Sequence, residues 1–241
     1  MTDPLSDSFG TTTVSPQERR ALIRRVFVEI APRYDLMNDL MSFGIHRLWK
    51  RRFAALAAAK PGETVIDLAG GTGDVARLMA QTGATVLVVD PSTAMMRAGR
   101  KPGDRLLFVA GEGEHLPFAD GSIDCLTVSF GIRNVTHLGR ALTEICRVLK
   151  PGGRFLCLEF SRAHPVIRPF YQAWSSTVIP VLGAGVAGSP SAYRYLIESI
   201  RRFPDQQAFA GLIGEAGFEG VRWIDLSFGI AAIHIATKPG G

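Results

Sequence analysis

Cysteine is scarce in this chain: its 241 residues include three, Cys125, Cys146 and Cys157, and none forms a CxxC pair. An odd number of thiols without metal-ligand spacing argues against a disulfide framework and a structural zinc site, and fits a reducing, cytoplasmic compartment. His46, His115, His137, His164 and His234 never fall at ligand spacing, so no metal is expected. HExxH and GxSxG are both missing, which leaves hydrolase chemistry without a foothold. Long apolar runs are missing too. The longest, 177–188, is broken by Pro180, Gly183, Gly185 and Gly188 and falls short of the roughly 20 residues that cross a bilayer. Asp3, Pro4 and Asp7 stand where a secretory signal needs positive charge and then an apolar stretch, so residues 1–15 read as a disordered lead-in. Basic side chains outnumber acidic ones 27 to 22, a net charge of +5 without the dense tracts of a nucleic-acid arm, and no nucleic acid is expected as partner.

What is present is the composition of an ordinary folded chain, 46% apolar and 20% charged. From residue 64 onward, β-branched runs alternate with helical patterns, as in a parallel sheet with crossover helices. Strands are predicted at 64–68, 84–89, 106–109, 123–129, 154–159, 220–226 and 229–237. Helices fall between them at 74–81, 93–100, 137–149 and 205–217. The last two strands are joined by so few residues that they must run antiparallel, since a parallel pair needs a crossover of a dozen or more. The expected architecture is α/β: a Rossmann-like, doubly wound, mostly parallel seven-stranded sheet with an antiparallel last strand. One domain is expected over 16–241, with an N-terminal helical cover at 16–60 and a helical lid insertion at 161–203.

The residues with chemical meaning gather at the first strand-to-helix turn. Val65-Ile-Asp67-Leu-Ala-Gly70-Gly71-Thr72-Gly73-Asp74 runs an apolar strand into glycines, which let a ligand approach the backbone and leave free N–H groups at a helix start. Asp90 ends the next strand, where a carboxylate can accept from both hydroxyls of a ribose. Gly71-x-Gly73-x-x-Ala76 also matches the dinucleotide fingerprint, so a nicotinamide-dependent oxidoreductase is the natural rival. Charge separates the two, because Asp67 and Asp74 beside the turn repel a pyrophosphate and attract a sulfonium with an ammonium group. S-adenosyl-L-methionine has that charge pattern. Gly111-Glu112-Gly113-Glu-His115-Leu116-Pro-Phe118 follows the third strand, where its residues could bracket an adenine, with His115, Leu116 and Phe118 as apolar contacts.

Four pieces in order carry a resemblance: Phe27-Val-Glu-Ile-Ala-Pro-Arg-Tyr34-Asp35-Leu-Met-Asn38 with its continuation to Lys50, the turn 67–74, Ser129-Phe-Gly-Ile-Arg133-Asn134-Val, and Tyr193-Arg-Tyr195-Leu-Ile-Glu-Ser-Ile. With them the chain resembles the ubiquinone/menaquinone biosynthesis C-methyltransferases, the UbiE family of class I S-adenosylmethionine-dependent methyltransferases, from about Phe27 to Thr237. The resemblance implies cofactor contacts at Thr72, Asp90 and Ser129, beside Asp67, Gly71 and Gly73 of the turn. It implies them also at Glu112 and Gly113, where the family commonly has a smaller acid or amide and then alanine. The implied substrate is a polyprenylated benzoquinol or a demethylmenaquinol, methylated on a ring carbon. Such a carbon is a poor nucleophile until the hydroxyl, with a pKa near 10, is ionised. Arg133 and Asn134 are accordingly expected at the phenolate oxygen, with Tyr34, Asp35 and Asn38 closing the pocket. Methylation of another small molecule, and a non-catalytic subunit of a quinone-biosynthesis complex, are the alternatives. A homodimer is an open assembly state.

An isoprenoid substrate lives in the bilayer. Ile45-His-Arg-Leu-Trp49-Lys50-Arg51-Arg52-Phe53 sets cations beside Trp49 and Phe53, the composition of a helix that seeks an anionic membrane surface, and implies peripheral docking on the inner face.

Overall fold

In the computed structural model, which describes residues 8–9, 12–31, 38–39, 42–169 and 190–240, the unbroken apolar runs are strands covered on both faces. In β3 (Thr64–Leu68) every residue after the first is buried; β4 (Thr85–Asp90) is buried after its first residue except at half-buried Leu87, and β6 (Ile123–Ser129) except at half-buried Asp124 and Ser129. With β5 (Leu107–Ala110), β7 (Leu149–Phe160), β8 (Glu219–Leu226) and β9 (Ala231–Thr237) they form a seven-stranded sheet in the order β5-β4-β3-β6-β7-β9-β8. The first five strands in that order are parallel, and β9 runs antiparallel to both neighbours. The fold class and the antiparallel ending are therefore as expected.

Alternation along β7 separates two apolar layers. Phe155 and Cys157 pack with Leu142, Ile145 and Phe209 on one face, and Leu156 and Leu158 with Phe53, Val75 and Ile233 on the other. The covering helices are α1 (Pro16–Ile30), α2 (Ile45–Ala57), α3 (Asp74–Ala80), α4 (Thr93–Gly99), α5 (Leu138–Val148), α6 (Pro190–Arg202) and α7 (Gln206–Glu215). Helix α1 starts at a capping box, in which Glu18 N–H donates to Ser15 Oγ at 3.3 Å and Ser15 N–H to Glu18 Oε2 at 2.8 Å. The strand order reverses at β3, between β4 and β6, and the carboxyl ends of strands at such a switch point are where open α/β sheets bind ligands.

Three local readings differ from the structure. Residues 1–15 are not wholly disordered: β1 (Ser8–Phe9) pairs antiparallel with β2 (Thr12–Thr13). The Phe9 ring stacks on Tyr195 at 4.6 Å and 12°, apolar contact that offsets the cost of ordering the segment. Strand β7 begins at Leu149, not at 154, since Leu149 pairs with Ile123 before a register shift. In α2, Trp49, Lys50 and Phe53 are buried because this side of the helix packs on α3 and β7, so the aromatics expected at a membrane belong to the core. The middle of the expected lid insertion, residues 170–189, lies outside the described residues, as do Tyr34 and Asp35.

Candidate active site at the carboxyl ends of the strands

Beyond Leu68 the chain turns sharply, with Ala69, Gly71 and Gly73 at φ of 52°, 53° and 76°, a region that costs glycine little. Gly70 is needed for a different reason: a Cβ there would sit 2.8 Å from Asp67 Oδ2. Gly99 of α4 packs so closely on the Thr72 backbone that any side chain would overlap it. Arg77 ties the turn down from α3, donating to the Thr72 carbonyl at 2.8 Å while paired with Asp104 at 2.7 Å. The turn is thus rigid before any ligand arrives.

Over it lies a cleft of about 1140 Å³ that opens to solvent. Its polar wall is carboxylate-rich. Asp67 is fully buried; its Oδ1 accepts from Thr127 Oγ1 at 3.0 Å and its Oδ2 has no partner. Burial, with the charge of Asp74 adding to it, pushes the Asp67 carboxyl up to about 7. Asp90 accepts the Gly71 N–H on Oδ2 at 2.9 Å and the Ser92 N–H on Oδ1 at 2.7 Å, and burial raises it to about 6 in spite of both bonds. Burial acts on Asp74 as well, but the Lys50 ammonium 2.6 Å away holds that carboxyl below the usual range. Ser129 Oγ is the second buried oxygen of the wall without a partner.

Most residues expected at the cofactor come together here. Asp67, Gly71, Thr72 and Asp90 line the cleft from β3, the turn and β4. Glu112, Gly113 and Ser129 line it from the segments after β5 and at the end of β6. Gly73 does not: a Cβ there would point into Leu106 at 3.0 Å and Val88 at 3.4 Å. Glu112 is already engaged by α1, with Arg24 at 3.5 Å and Arg20 at 3.8 Å. His115, Leu116 and Phe118 are not on the wall: His115 meets Arg140 at 3.2 Å, while Leu116 and Phe118 pack in the core. The apolar residues that line the cleft include Pro91 and Met95 and, from α1, Ile23 and Phe27.

The expected catalytic pair separates. Asn134 lines the cleft; Arg133 does not. The Arg133 guanidinium is buried, donates to the Phe130 carbonyl at 2.5 Å and is paired at 2.8 Å with Glu159, itself buried at the end of β7. Its charge is therefore spent inside the protein. Asn38 is half-buried and away from the cleft wall, its carbonyl accepting from Ser42 Oγ at 2.7 Å.

Lys50 and Arg19 were missed by sequence reading. Lys50 sits at the cleft floor with Asp74, and Arg19 donates to the carbonyls of Asn134 at 3.0 Å, Val135 at 2.8 Å and Arg133 at 3.2 Å. Both lie on helix faces whose apolar neighbours, Trp49 and Phe53 for one and Ile23 and Val26 for the other, point inward. That periodicity was the available signal. No group of His, Cys, Asp and Glu among the described residues could hold a metal ion.

The profile of the ubiE/COQ5 methyltransferase family matches residues 12–238. The chain is 61% identical over 98% of its length to the ubiquinone/menaquinone biosynthesis C-methyltransferase UbiE of Rubrivivax gelatinosus, covering 94% of that protein. To the protein of the same name from Acidiphilium cryptum it is 48% identical, over 97% of this chain and 98% of that one. Among solved structures, a chain of the Haloferax volcanii complex between the Trm112 methyltransferase activator and a methyltransferase superposes with a TM-score of 0.66 at 19% identity, covering 88% of this chain and 97% of that one. A SAM-dependent methyltransferase of Thermotoga maritima gives 0.62 at 21% identity, with 89% and 98% covered. At such identities these structures share the fold.

Proposed function

The chain belongs to the ubiE/COQ5 methyltransferase family, and from that premise we propose that it transfers the methyl group of S-adenosyl-L-methionine to a ring carbon of a polyprenylated benzoquinol, a demethylmenaquinol or both. The observation that carries the cofactor half is local: two buried oxygens without partners, Asp67 Oδ2 and Ser129 Oγ, on the wall of a cleft that also holds Asp90. A built site with unmet hydrogen-bonding capacity calls for a polar ligand. Asp90 would take the ribose hydroxyls, Asp67 and Asp74 would favour the ammonium group, and Ser129, Thr72 and Glu112 would complete the polar contacts. Gly113 would stand beside them, at a position where a Cβ would meet Leu68 and Val135 at an ordinary contact distance of 3.4 Å.

Bound, the cofactor supplies an electrophilic methyl group. The chain's own residues must then hold the quinol carbon in line and favour its ionised oxygen. Asn134, on the cleft wall, is the donor placed to do so. Arg133 acts from behind: by bonding the Phe130 carbonyl and Glu159 it fixes the turn that presents Asn134. Tyr34 as a catalytic residue and Asp35 and Asn38 as substrate-binding residues complete the proposal on the family resemblance alone.

The test is anaerobic incubation with S-adenosyl-L-methionine and short-chain quinols of both ring types, with parallel calorimetry of S-adenosylhomocysteine and NADH. A product one methyl group heavier on ring carbon, with binding of the homocysteine derivative and none of NADH, is the expected result. Binding of NADH alone would overturn the assignment, and cofactor binding without methylation of either quinol would point to another small molecule.

Peripheral docking on an anionic membrane is the finer part of the proposal. Among the described residues no helix is long and apolar enough to cross a membrane. On the outer side of α2, Ile45 and Leu48 are 40% and 61% exposed, close to the exposed Arg51 and Arg52. That is apolar surface with cations on it, which suits an anionic headgroup layer. Flotation with anionic liposomes is expected to carry the protein up, and Arg51→Glu/Arg52→Glu to leave it at the bottom. A wild-type protein that never floats would sink the docking idea.

A further inference from the structure

We infer that Tyr195 is the positioning residue that decides which end of the Asn134 side chain meets the quinol oxygen. The inference deepens the methyltransferase reading above and rests on it for the identity of the substrate.

An asparagine side chain has two unlike ends, a carbonyl that only accepts and an amide nitrogen that only donates. At an oxygen that must become negative, the nitrogen stabilises and the carbonyl repels, so the orientation of Asn134 is not neutral for the chemistry. Three contacts settle it. The Tyr195 hydroxyl, reaching in from α6, donates to Asn134 Oδ1 at 2.8 Å and so claims the carbonyl end. The ring of Tyr195 is 5% exposed and stacked on Phe9 at 4.6 Å, which leaves the hydroxyl little freedom to swing away. The backbone of Asn134 is fixed independently, because Arg19 donates to its carbonyl and to those on either side. Among the described residues nothing accepts from the Asn134 amide nitrogen, and Asn134 stands on the cleft wall. The donor end is therefore the one left for a ligand. Burial also raises the Tyr195 phenol above its ordinary range, so the hydroxyl keeps its proton and stays a donor throughout the working pH.

The same contacts give the β1–β2 segment a purpose. Phe9 holds Tyr195, Tyr195 holds Asn134, and Asn134 faces the cleft, so a segment outside the catalytic sheet reaches the reacting oxygen through two side chains.

Tyr195→Phe keeps the ring and its stack and removes one hydroxyl. We expect kcat on the quinol to fall about tenfold, with the affinity for S-adenosylhomocysteine within about twofold of wild type. The acid limb of the kcat–pH profile should move up by about one pH unit, because the bound phenol becomes harder to ionise. Combined with Asn134→Ala the effects should not multiply, since Tyr195 has nothing left to orient. The side-chain amide resonances of Asn134, identified by their loss in Asn134→Ala, should move in Tyr195→Phe whatever the substrate is. Unmoved resonances would overturn the proposal, as would an unchanged kcat and acid limb or multiplicative losses in the double variant. If the wild-type enzyme methylates neither quinol while the resonances do move, the substrate assignment fails and the positioning role stands.

Discussion

Asp90→Asn is expected to weaken binding of S-adenosylhomocysteine by about 100-fold or more without unfolding the protein. The substitution looks conservative because asparagine keeps one oxygen. The structure shows why that is not enough: Gly71 N–H donates to one carboxylate oxygen and Ser92 N–H to the other, so both positions must accept. An asparagine amide set against either N–H would place donor against donor, and the turn carrying Gly71 and Thr72 would have to shift. The proposed ribose contacts are lost in the same step. Hydrogen bonds to a charged acceptor contribute roughly 1.5–3 kcal/mol each, and every 1.4 kcal/mol is about tenfold in affinity, so losing two amounts to about two decades or more. Calorimetry gives the affinity, and circular dichroism with a thermal melt gives the fold. An affinity within about threefold of wild type would remove Asp90 from the cofactor site.

The parts of this molecule that were legible in the sequence are those governed by near neighbours. Strands β3, β4 and β6 could be read because burial on both faces demands unbroken apolar runs, and the antiparallel ending because the connection between β8 and β9 is too short for a crossover. The turn 69–73 could be read because its glycines answer local backbone demands. What stayed hidden depends on partners far apart in the chain. Lys50 looked like one of several surface cations, yet it meets Asp74 across 24 residues on a buried helix face. Arg133 looked free to face a phenolate, but Glu159, 26 residues on, takes its charge. In the sequence, Asp67 and Asp74 stand as two full carboxylates against a pyrophosphate at the turn. Lys50 compensates Asp74, and burial holds the Asp67 carboxyl at about 7, so the repulsion is weaker than the sequence implied and pH-dependent. The discrimination against NADH therefore rests more on family membership than on charge alone.

That same Asp67 predicts a conflict between stability and binding. Its carboxyl, fully buried and with one oxygen unpartnered, is raised to about 7 in the folded chain; in the unfolded chain it titrates near 3.9. The folded state thus keeps a proton that the unfolded state releases, and the favourable contribution present below about pH 4 is lost as pH rises to 7. Three units at about 1.4 kcal/mol each give a penalty of about 4 kcal/mol above pH 8. Asp67→Asn cannot ionise and escapes it. The variant is expected to exceed wild type in denaturant stability by about 1–2 kcal/mol at pH 5 and by up to about 4 kcal/mol at pH 8, less what its own amide loses for want of an acceptor. Binding should go the other way. A ligand bearing an ammonium and a sulfonium favours the ionised carboxylate, so wild-type affinity for S-adenosyl-L-methionine should rise by up to about tenfold per pH unit between 5 and 7. In Asp67→Asn that rise should flatten, leaving the variant about 10- to 100-fold weaker at pH 8. Denaturant melts and calorimetry at both pH values decide the matter together. A variant less stable than wild type at pH 8, or one that keeps the full pH dependence of binding, would show that Asp67 is not the group the cationic ligand ionises.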